Sequence, residues 1–514
     1  MTRENQANQP NGQSQAAGER KLIEDRLAKT AEIRSRGLDP YPPRFNRTHT
    51  SVEAVALFQS LEEGGTESDH SDSHSVRVAG RVMARRGQGK ASFIDVRDGH
   101  GSIQIFARQN TMGDESYAIL DLLDIGDIIG IEGVVIRTRR GEISVEAKTI
   151  TLLTKAIRPL PDKWHGLQDQ EVRFRQRYLD LISNEKAMQN ALLRTKIVRS
   201  MRDFMHARGF IEVETPILVP VAGGAQATPF ATHHNQLNRD LYLRIATELY
   251  LKKLIVGGIE RVFEIGRLFR NEGLDHDHNP EFTTIESYQA YADYNDVMCM
   301  VEEMIAQIAQ DTTGSMILPA ISEKRPEINL TPPWPRLDLR SEIMKRTGID
   351  FVETRDIESL SKAMQECGIH VEPGSDWGRL LDKVISSEVE PNLIQPHFLI
   401  DYPVEMSPLA KRKPGSSDIV ERFEAFVMGT ELANAFTELN DPVDQRERFE
   451  QQERLREEFD NDEADRLDED FLIAIEHGMP PTGGLGLGID RLTMLVAGEE
   501  SIREILLFPA MRNI

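Results

Sequence analysis

Cysteine is almost missing from this chain: its 514 residues hold only Cys299 and Cys367, far apart and without metal-ligand spacing. A disulfide framework and a thiolate metal site are therefore not expected, and a reducing, cytoplasmic setting is. Long apolar runs are missing as well. None approaches the ~18 residues that cross a bilayer, so no membrane partner is expected. The opening stretch MTRENQANQPNGQSQAAGER lacks the apolar centre of a secretory leader and reads as an unstructured tail, residues 1–20. Positive charge is in short supply, with 61 Lys and Arg against 84 Asp and Glu and a net charge of -23. Such a total argues against a nucleic-acid partner only where the charges are evenly spread. They are not. Between Val76 and Asn110 stand Arg77, Arg81, Arg85, Arg86, Lys90, Arg97 and Arg108 against only Asp95 and Asp98, whereas Asp441 to Asp470 is strongly acidic and reads as a solvated helical face.

The length exceeds what one hydrophobic core usually serves, so more than one domain is expected. RKLIEDRLAKTAEIRSRG has helical charge and apolar spacing and stops at Gly37, ahead of the Pro-rich DPYPPRF. Together with the polar linker GGTESDHSDSHS, whose Asp and His residues are better explained by exposure than by metal binding, it makes a helical segment over 21–75. Five β-rich runs then follow between about Val76 and Lys155: VRVAGRVMA, ASFIDVRD, GSIQIFARQ, DIIGIEGVVIRT and ISVEAKTITLL. Five strands with a basic early face fit a small closed barrel of the oligonucleotide-binding type, in which aromatic side chains stack on bases. Phe93 is the candidate platform, with Arg85 and Gln104 as base or phosphate partners; Phe93 also alternates with Ile94 and fits a core position equally well. A basic connector over 156–182 leads into a larger region, 183–514, within which the loop-rich stretch 321–414 reads as an insertion between two halves of a core.

Three islands in the larger region stand out. RGFIEVETPIL has a helix ending at Gly209 and a strand running to Pro216. In LFRNEGLDHDHNPEFTTIES, the strand period of two puts Arg270 and Glu272 on one face before a polar loop, and Phe282, Glu286 and Tyr288 on one face after it. GGLGLGIDRLTML is a glycine-rich strand entering a helix with Arg491 in its first turn. Its glycines 484, 486 and 488 alternate, so it cannot be read as the dinucleotide pattern GxGxxG. Alternate glycines instead strip one face of a strand of side chains, so that a flat ligand can lie on the backbone.

Taken in this order, the three islands resemble the signature motifs of class II aminoacyl-tRNA synthetases. VAGRVMARR, KASF, RQRYLDLIS, RNEG, HNPEFT, DYPVEMSPLAK, ANAFTELNDP, PPTGGLGLGIDRL and LFPAMR extend the resemblance to the lysyl-tRNA synthetase family over nearly the whole chain. It implies an α+β protein: an N-terminal five-stranded OB-type barrel that binds an anticodon, followed by a class II catalytic domain built on an antiparallel sheet flanked by helices. The implied reaction joins L-lysine to ATP, giving lysyl-adenylate and pyrophosphate, and passes lysine to the 3' end of tRNA(Lys). Two alternatives stand beside it: a lysine-activating paralogue acting on a protein, which typically lacks the barrel, and a non-catalytic tRNA-binding paralogue, which would have lost Arg270, Arg491, Glu424 or Glu431.

By the same resemblance, Arg270 contacts the α-phosphate, Glu272, His278 and Asn279 address ATP, and Phe282 and Arg491 enclose the adenine, with Arg270 and Arg491 the catalytic arginines. Mg2+ is expected on Glu424 and Glu431. A hairpin turning at Gly429 and Thr430 would set Glu431 opposite Met428, on the face of Glu424. Asn434, Phe436 and Glu438 alternate, and the odd step from Glu431 puts them on the other face unless a bulge intervenes near Ala433. The amino acid carries two ammonium groups that are costly to bury without anionic partners, so an acidic pocket is expected. The resemblance supplies Glu248 for the α-ammonium, Glu286, Tyr288 and Glu438 around the ε-ammonium, and Gly224, Asn434 and Phe436 for the wall. Glu142 joins Arg85, Phe93 and Gln104 as an anticodon residue, and the Pro216 motif implies a homodimer.

Overall fold

The computed structural model describes residues 11–63, 75–87, 89–161, 167, 169–225, 227–459 and 467–512. The first ten residues of the expected tail, the Asp- and His-bearing stretch 64–74 and residues 162–166 of the connector lie outside the described residues. The chain divides into two compact units, 1–166 and 167–514.

In the first unit a helix runs over Asn11–Ser35 and stops before Gly37, whose φ of 76° no helix continues. Residues 11–20, expected as tail, are thus helical; Gln13, Gln15, Ala16, Ala17 and Glu19 all favour that state. The helix is docked by Arg26, buried and donating to the carbonyls of Ala156 at 2.7 Å and Ile125 at 3.0 Å. The five expected strands form over Ser75–Arg86, Ala91–Arg97, Ser102–Arg108, Ile128–Arg137 and Ile143–Thr154. They close into a barrel in the order first, second, third, fifth, fourth, the first strand pairing with both the second and the fourth. The period of two sends Ile94, Val96, Ile103 and Ile105 inside and leaves Phe93, Asp95 and Gln104 half-exposed outside. Where the fourth strand crosses the fifth most closely, a Cβ on Gly133 would lie 2.1 Å from the Glu146 carbonyl oxygen, and the ladder shifts register there.

The second unit is built on an eight-stranded sheet, in the order Arg336–Asp338, His397–Ile400, Arg422–Val427, Thr430–Thr437, Thr482–Gly488, Glu281–Ala290, Arg261–Phe269 and Ile211–Glu212. Its inner pairings are antiparallel and only the outermost pair at each end is parallel. One face is closed by the helices Glu185–Ala207 and Tyr294–Thr313, whose Ile197, Met201, Val301, Met304 and Ile308 pack on Phe263, Ile285, Phe423, Ala433, Leu485 and Leu487. Burial of each large apolar side chain there contributes about 1.5–3 kcal/mol. Asp293 and Asp296 form a reciprocal capping box that starts the second of these helices. Because neighbours alternate across a strand, the residues between these core positions, Glu286, Asn434, Phe436, Gly484 and Gly486, look out from the opposite face.

The stretch 321–414, expected as a loop-rich insertion, instead supplies the two strands at one end of the sheet and the helices Leu339–Thr347, Ile357–Glu366 and Trp377–Val384. Leu339, Phe351, Leu360, Leu381 and Phe426 share a core there, so the region continues the sheet. Its strands of three and four residues are too short to show a period in the sequence.

Candidate active site

The free face of the sheet holds a cavity of about 440 Å3, and every residue expected around ATP, metal and amino acid lines it. The expected hairpin is present: Arg261–Phe269 and Glu281–Ala290 pair antiparallel with Leu268 opposite Phe282 and Glu264 opposite Glu286. Arg270 continues the face of Leu268, so its guanidinium lies 5.2 Å from the ring centre of Phe282. Its buried Nε has no hydrogen-bond partner, and burial lowers its pKa. Glu272 is exposed in the loop. The loop folds back on itself: His278 Nδ1 stands 2.9 Å from Asp275 and its Nε2 lies 3.3 Å from Arg491. Since Arg491 can only donate, the ring is read as carrying its proton on Nδ1. Asn279 uses both side-chain ends within the protein, accepting from the Ala510 N–H at 3.0 Å and donating to the Glu281 carbonyl at 2.6 Å.

The irregularity expected near Ala433 is a bulge at Leu432. Ala425 pairs with Ala433 and Phe426 with Glu431, leaving Leu432 without an opposite residue, and Leu432 and Ala433, consecutive in sequence, both enter the helix-side core. The extra residue brings Glu431 to the face of Asn434 and Phe436. The turn itself is one residue earlier than expected: Met428 and Gly429 take φ of 58° and 70°, Val427 pairs with Thr430, and Glu431 faces Phe426 rather than Met428. Glu424 and Glu431 still share a face, because Phe426 is two residues from Glu424. Glu424 accepts from Tyr402 Oη at 2.8 Å and from Arg422 at 2.6 Å; Glu431 accepts from Arg491 at 3.1 Å. Burial pushes the Glu424 carboxyl up to about 7, with Arg422 opposing and Glu431 adding to the shift. Half-buried Glu390 faces the same charges, and burial, Glu424, Asp382 and Glu431 raise it to about 8. Among the described residues no three Asp, Glu, His or Cys are grouped closely enough to hold a metal ion alone.

The end of the cavity around Glu248, Glu286 and Glu438 is acidic, and all three carboxyls are buried. Glu286 is buried, receives the Thr247 N–H at 3.1 Å, and is pushed up to about 7, chiefly by burial. Glu438, beyond the end of the Thr430–Thr437 strand, is 1% exposed; its Oε1 has no hydrogen-bond partner, and burial raises its pKa well above the usual carboxylate range. Glu248 opens a helix, Glu248–Val256, and burial raises it too, opposed first by Lys252. Burial likewise raises the Tyr288 hydroxyl. Gly224 takes a φ of 88° against Ala246 and Glu248, at the cavity wall.

On the barrel, Phe93 and Gln104 share the outer face, with Phe93 stacked on Phe106 at 4.6 Å and 8° between planes. Ser144 donates to Gln104 at 3.0 Å, and Glu142 is exposed in the loop before the fifth strand. Arg85 is not on that face. Met83 is an extra residue in the first strand, so Arg86 rather than Arg85 stands opposite Phe93; Arg85 pairs with core Ile94 and donates to the Leu120 carbonyl. Arg86 is ion-paired to Asp95 at 2.8 Å.

Sequence reasoning missed Lys252 and Arg422 in the larger unit and Phe106 and Arg86 on the barrel. The spacing of Glu248 and Lys252, one helical turn, was the available signal. The alternating glycines differ in what they admit. A Cβ on Gly484 would lie 1.8 Å from Glu438 Oε1 and 2.6 Å from the Tyr288 ring, whereas one on Gly486 would find its nearest neighbours at 3.8 and 3.9 Å. Gly484→Ala is therefore expected to destabilise the protein by about 1–3 kcal/mol through overpacking, and Gly486→Ala to stay within ~0.5 kcal/mol of it. Thermal and urea unfolding of the two variants measures the difference.

A family model described as tRNA synthetases class II (D, K and N) matches residues 169–512, and one described as OB-fold nucleic acid binding domain matches residues 76–153. A curated protein of Dehalococcoides mccartyi strain 195, named lysine–tRNA ligase, is 52% identical over 492 residues, covering 96% of this chain and 97% of its own. Proteins of the same name from Carboxydothermus hydrogenoformans and Staphylococcus epidermidis are each 50% identical; they cover 96% and 95% of this chain and 98% of their own lengths. The cavity on the free face of the sheet thus lies within the matched catalytic region, and the chain belongs to the class II tRNA synthetases of the D, K and N group.

Proposed function

We propose that the protein is a lysine–tRNA ligase. In the first step a lysine carboxylate oxygen attacks the α-phosphorus of ATP, the bond to the β-phosphate oxygen breaks, and pyrophosphate leaves. In the second, a terminal ribose hydroxyl of tRNA(Lys) attacks the lysyl carbonyl and AMP leaves, the hydroxyl proton passing to solvent. The observation that carries this reading is one cavity with three buried carboxylates, Glu248, Glu286 and Glu438, at one end and a buried arginine Nε without a hydrogen-bond partner at the other. Arg270, its Nε free and buried, faces the charge that accumulates on the α-phosphate, where a preorganised donor acts most strongly. Phe282 and Arg491 supply a ring and a planar cation for the base beside the open backbone of Gly486, and His278 stands at the phosphate end. Glu286, Tyr288 and Glu438 receive the ε-ammonium and Glu248 the α-ammonium, with Gly224, Asn434 and Phe436 completing the wall.

The chemistry of the donor set fits Mg2+. Glu424 and Glu431 share a face, burial raises Glu424 and the like charge of Glu431 adds to the shift, and two carboxylates together with substrate phosphates and water are a usual Mg2+ set. Bound there, the ion would neutralise phosphate charge. On the barrel, Arg85, Phe93, Gln104 and Glu142 would read the anticodon of tRNA(Lys), with bases stacking on the Phe93 and Phe106 pair; the Arg108 guanidinium lies 5.1 Å from the Phe106 ring centre. Exposed Ile211, Ile217 and Leu218 around Pro216 support a homodimer. Among the described residues no helix is long and apolar enough to cross a membrane, and a cytoplasmic enzyme is proposed.

Charging of total bacterial tRNA with single labelled amino acids, ATP and Mg2+ is expected to proceed with lysine alone. Charging with aspartate or asparagine would overturn the acidic-pocket reading, and no charging at all would favour a paralogue acting on a protein or binding tRNA without catalysis. Glu286→Gln is expected to lower lysine kcat/KM by an amount worth ~3 kcal/mol, as removal of one partner of a buried pair does; steady-state pyrophosphate exchange measures it, and an unchanged value would contradict the assignment.

A further inference from the structure

Lys252 is a buried cation behind the cavity-lining Glu248 and Glu438, and the reaction above gives it no role. It is fully buried on the Glu248–Val256 helix, one turn beyond Glu248, and its Nζ pairs with Glu248 Oε1 and Glu438 Oε2. The ring centres of Phe436, Phe471 and Tyr288 lie 5.4, 5.8 and 6.0 Å from it. An ammonium so enclosed has no solvent to return to. Gly484 fixes the other side: Glu438 Oε1 occupies the space that a side chain at 484 would fill. Glu438 is thereby held between a bare strand and an interior cation.

We infer that Lys252 is a positioning and specificity-determining residue of the lysine site, a built-in counter-ion that holds Glu248 and Glu438 in place and leaves the pocket short of two positive charges. Glu248, Glu286 and Glu438 carry three carboxylates; Lys252 answers one, and the two ammonium groups of L-lysine answer the rest. An amino acid with one ammonium leaves a buried carboxylate unmatched, which disfavours it. The inference rests on the lysine-site reading above. The charged and titratable groups around Lys252 are Glu248 on its own helix, Glu438 beyond the sheet strand and Tyr288 on the hairpin; Glu286 adds to the shifts of Glu438 and Tyr288, and Arg422 acts on Glu248. Burial works against its charge, but Glu248 and Glu438 outweigh burial, so Lys252 keeps its proton.

Without that cation, Glu248 and Glu438 retain protons to higher pH and must release them when lysine binds. The test uses the full chain, with Lys252→Met and Lys252→Gln removing the charge and Lys252→Arg keeping it, in lysine-dependent ATP–pyrophosphate exchange from pH 6.5 to 9. Both neutral variants are expected to raise the lysine KM about tenfold at pH 7, as one unit of carboxyl pKa would. The gap should close as pH rises, while the ATP KM stays unchanged and Lys252→Arg keeps the parental pH profile. Lys252→Gln carries the test should the longer apolar side chain impair folding, which circular dichroism reports. A folded neutral variant with the parental lysine KM and pH profile overturns the inference, as does a parallel rise in lysine and ATP KM at every pH, the signature of a merely structural role. An unaltered protein that exchanges pyrophosphate with no lysine dependence would overturn the lysine-site reading instead, before any variant is made.

Discussion

Three carboxylates kept from water with one ammonium among them are the constraint around which the catalytic unit is arranged. Ionised groups in such surroundings either find partners or take up protons, and burial raises the carboxyls of Glu286 and Glu438. The same surroundings explain the bare strand beneath. Gly484 leaves room for Glu438, and Gly486 leaves open backbone next to it. Site and fold are thus tied together: the buried Glu438 and Tyr288 depend on a glycine at 484 that would otherwise weaken a central strand.

The sheet separates core from chemistry by parity alone. Ile285, Leu485, Leu487 and Ala433 face the helices, and the residues between them face the cavity. One extra residue at Leu432 changes the parity of what precedes it, bringing Glu431 to the side of Glu424, Asn434 and Phe436. A regular ladder would have put the two metal-binding candidates on opposite faces. The buried pair Arg244 and Glu264, 2.5 Å apart, adds a second tie: Glu264 also receives the Thr215 N–H at 3.0 Å, linking the Pro216 segment to the Arg261–Phe269 and Glu281–Ala290 hairpin.

Much of this was legible in the sequence because it depends on period and order. The five barrel strands and the hairpin around Arg270 and Phe282 follow from alternation at a period of two, and the bulge before Asn434 follows from that alternation once the resemblance puts Glu431 and Asn434 in one site. Arg85, set beside Phe93 by the resemblance and not by period, shows what alternation leaves out. Without the extra Met83 it would have stood opposite Phe93; the bulge moved it one place and left Arg86 there, and nothing in VAGRVMARR announces a bulge. Lys252 was hidden for another reason. In the pair Lys252 and Lys253 the first is buried against Glu438 and the second is part-exposed beside Asp470, a difference set by partners distant in sequence. The stretch 321–414 was obscured by the shortness of its strands.

The central claim, that buried carboxylates wait partly protonated for the ammonium groups of lysine, is tested most directly by calorimetric titration of L-lysine into the protein in buffers of different ionisation enthalpy. With Glu286 near 7 in the free protein and ionised when paired, binding below that pH must expel protons. At pH 6 the observed enthalpy is predicted to vary with the buffer by an amount equal to the release of at least roughly one proton, with release declining as pH rises. A binding enthalpy independent of buffer at pH 6, or proton uptake, would contradict the account.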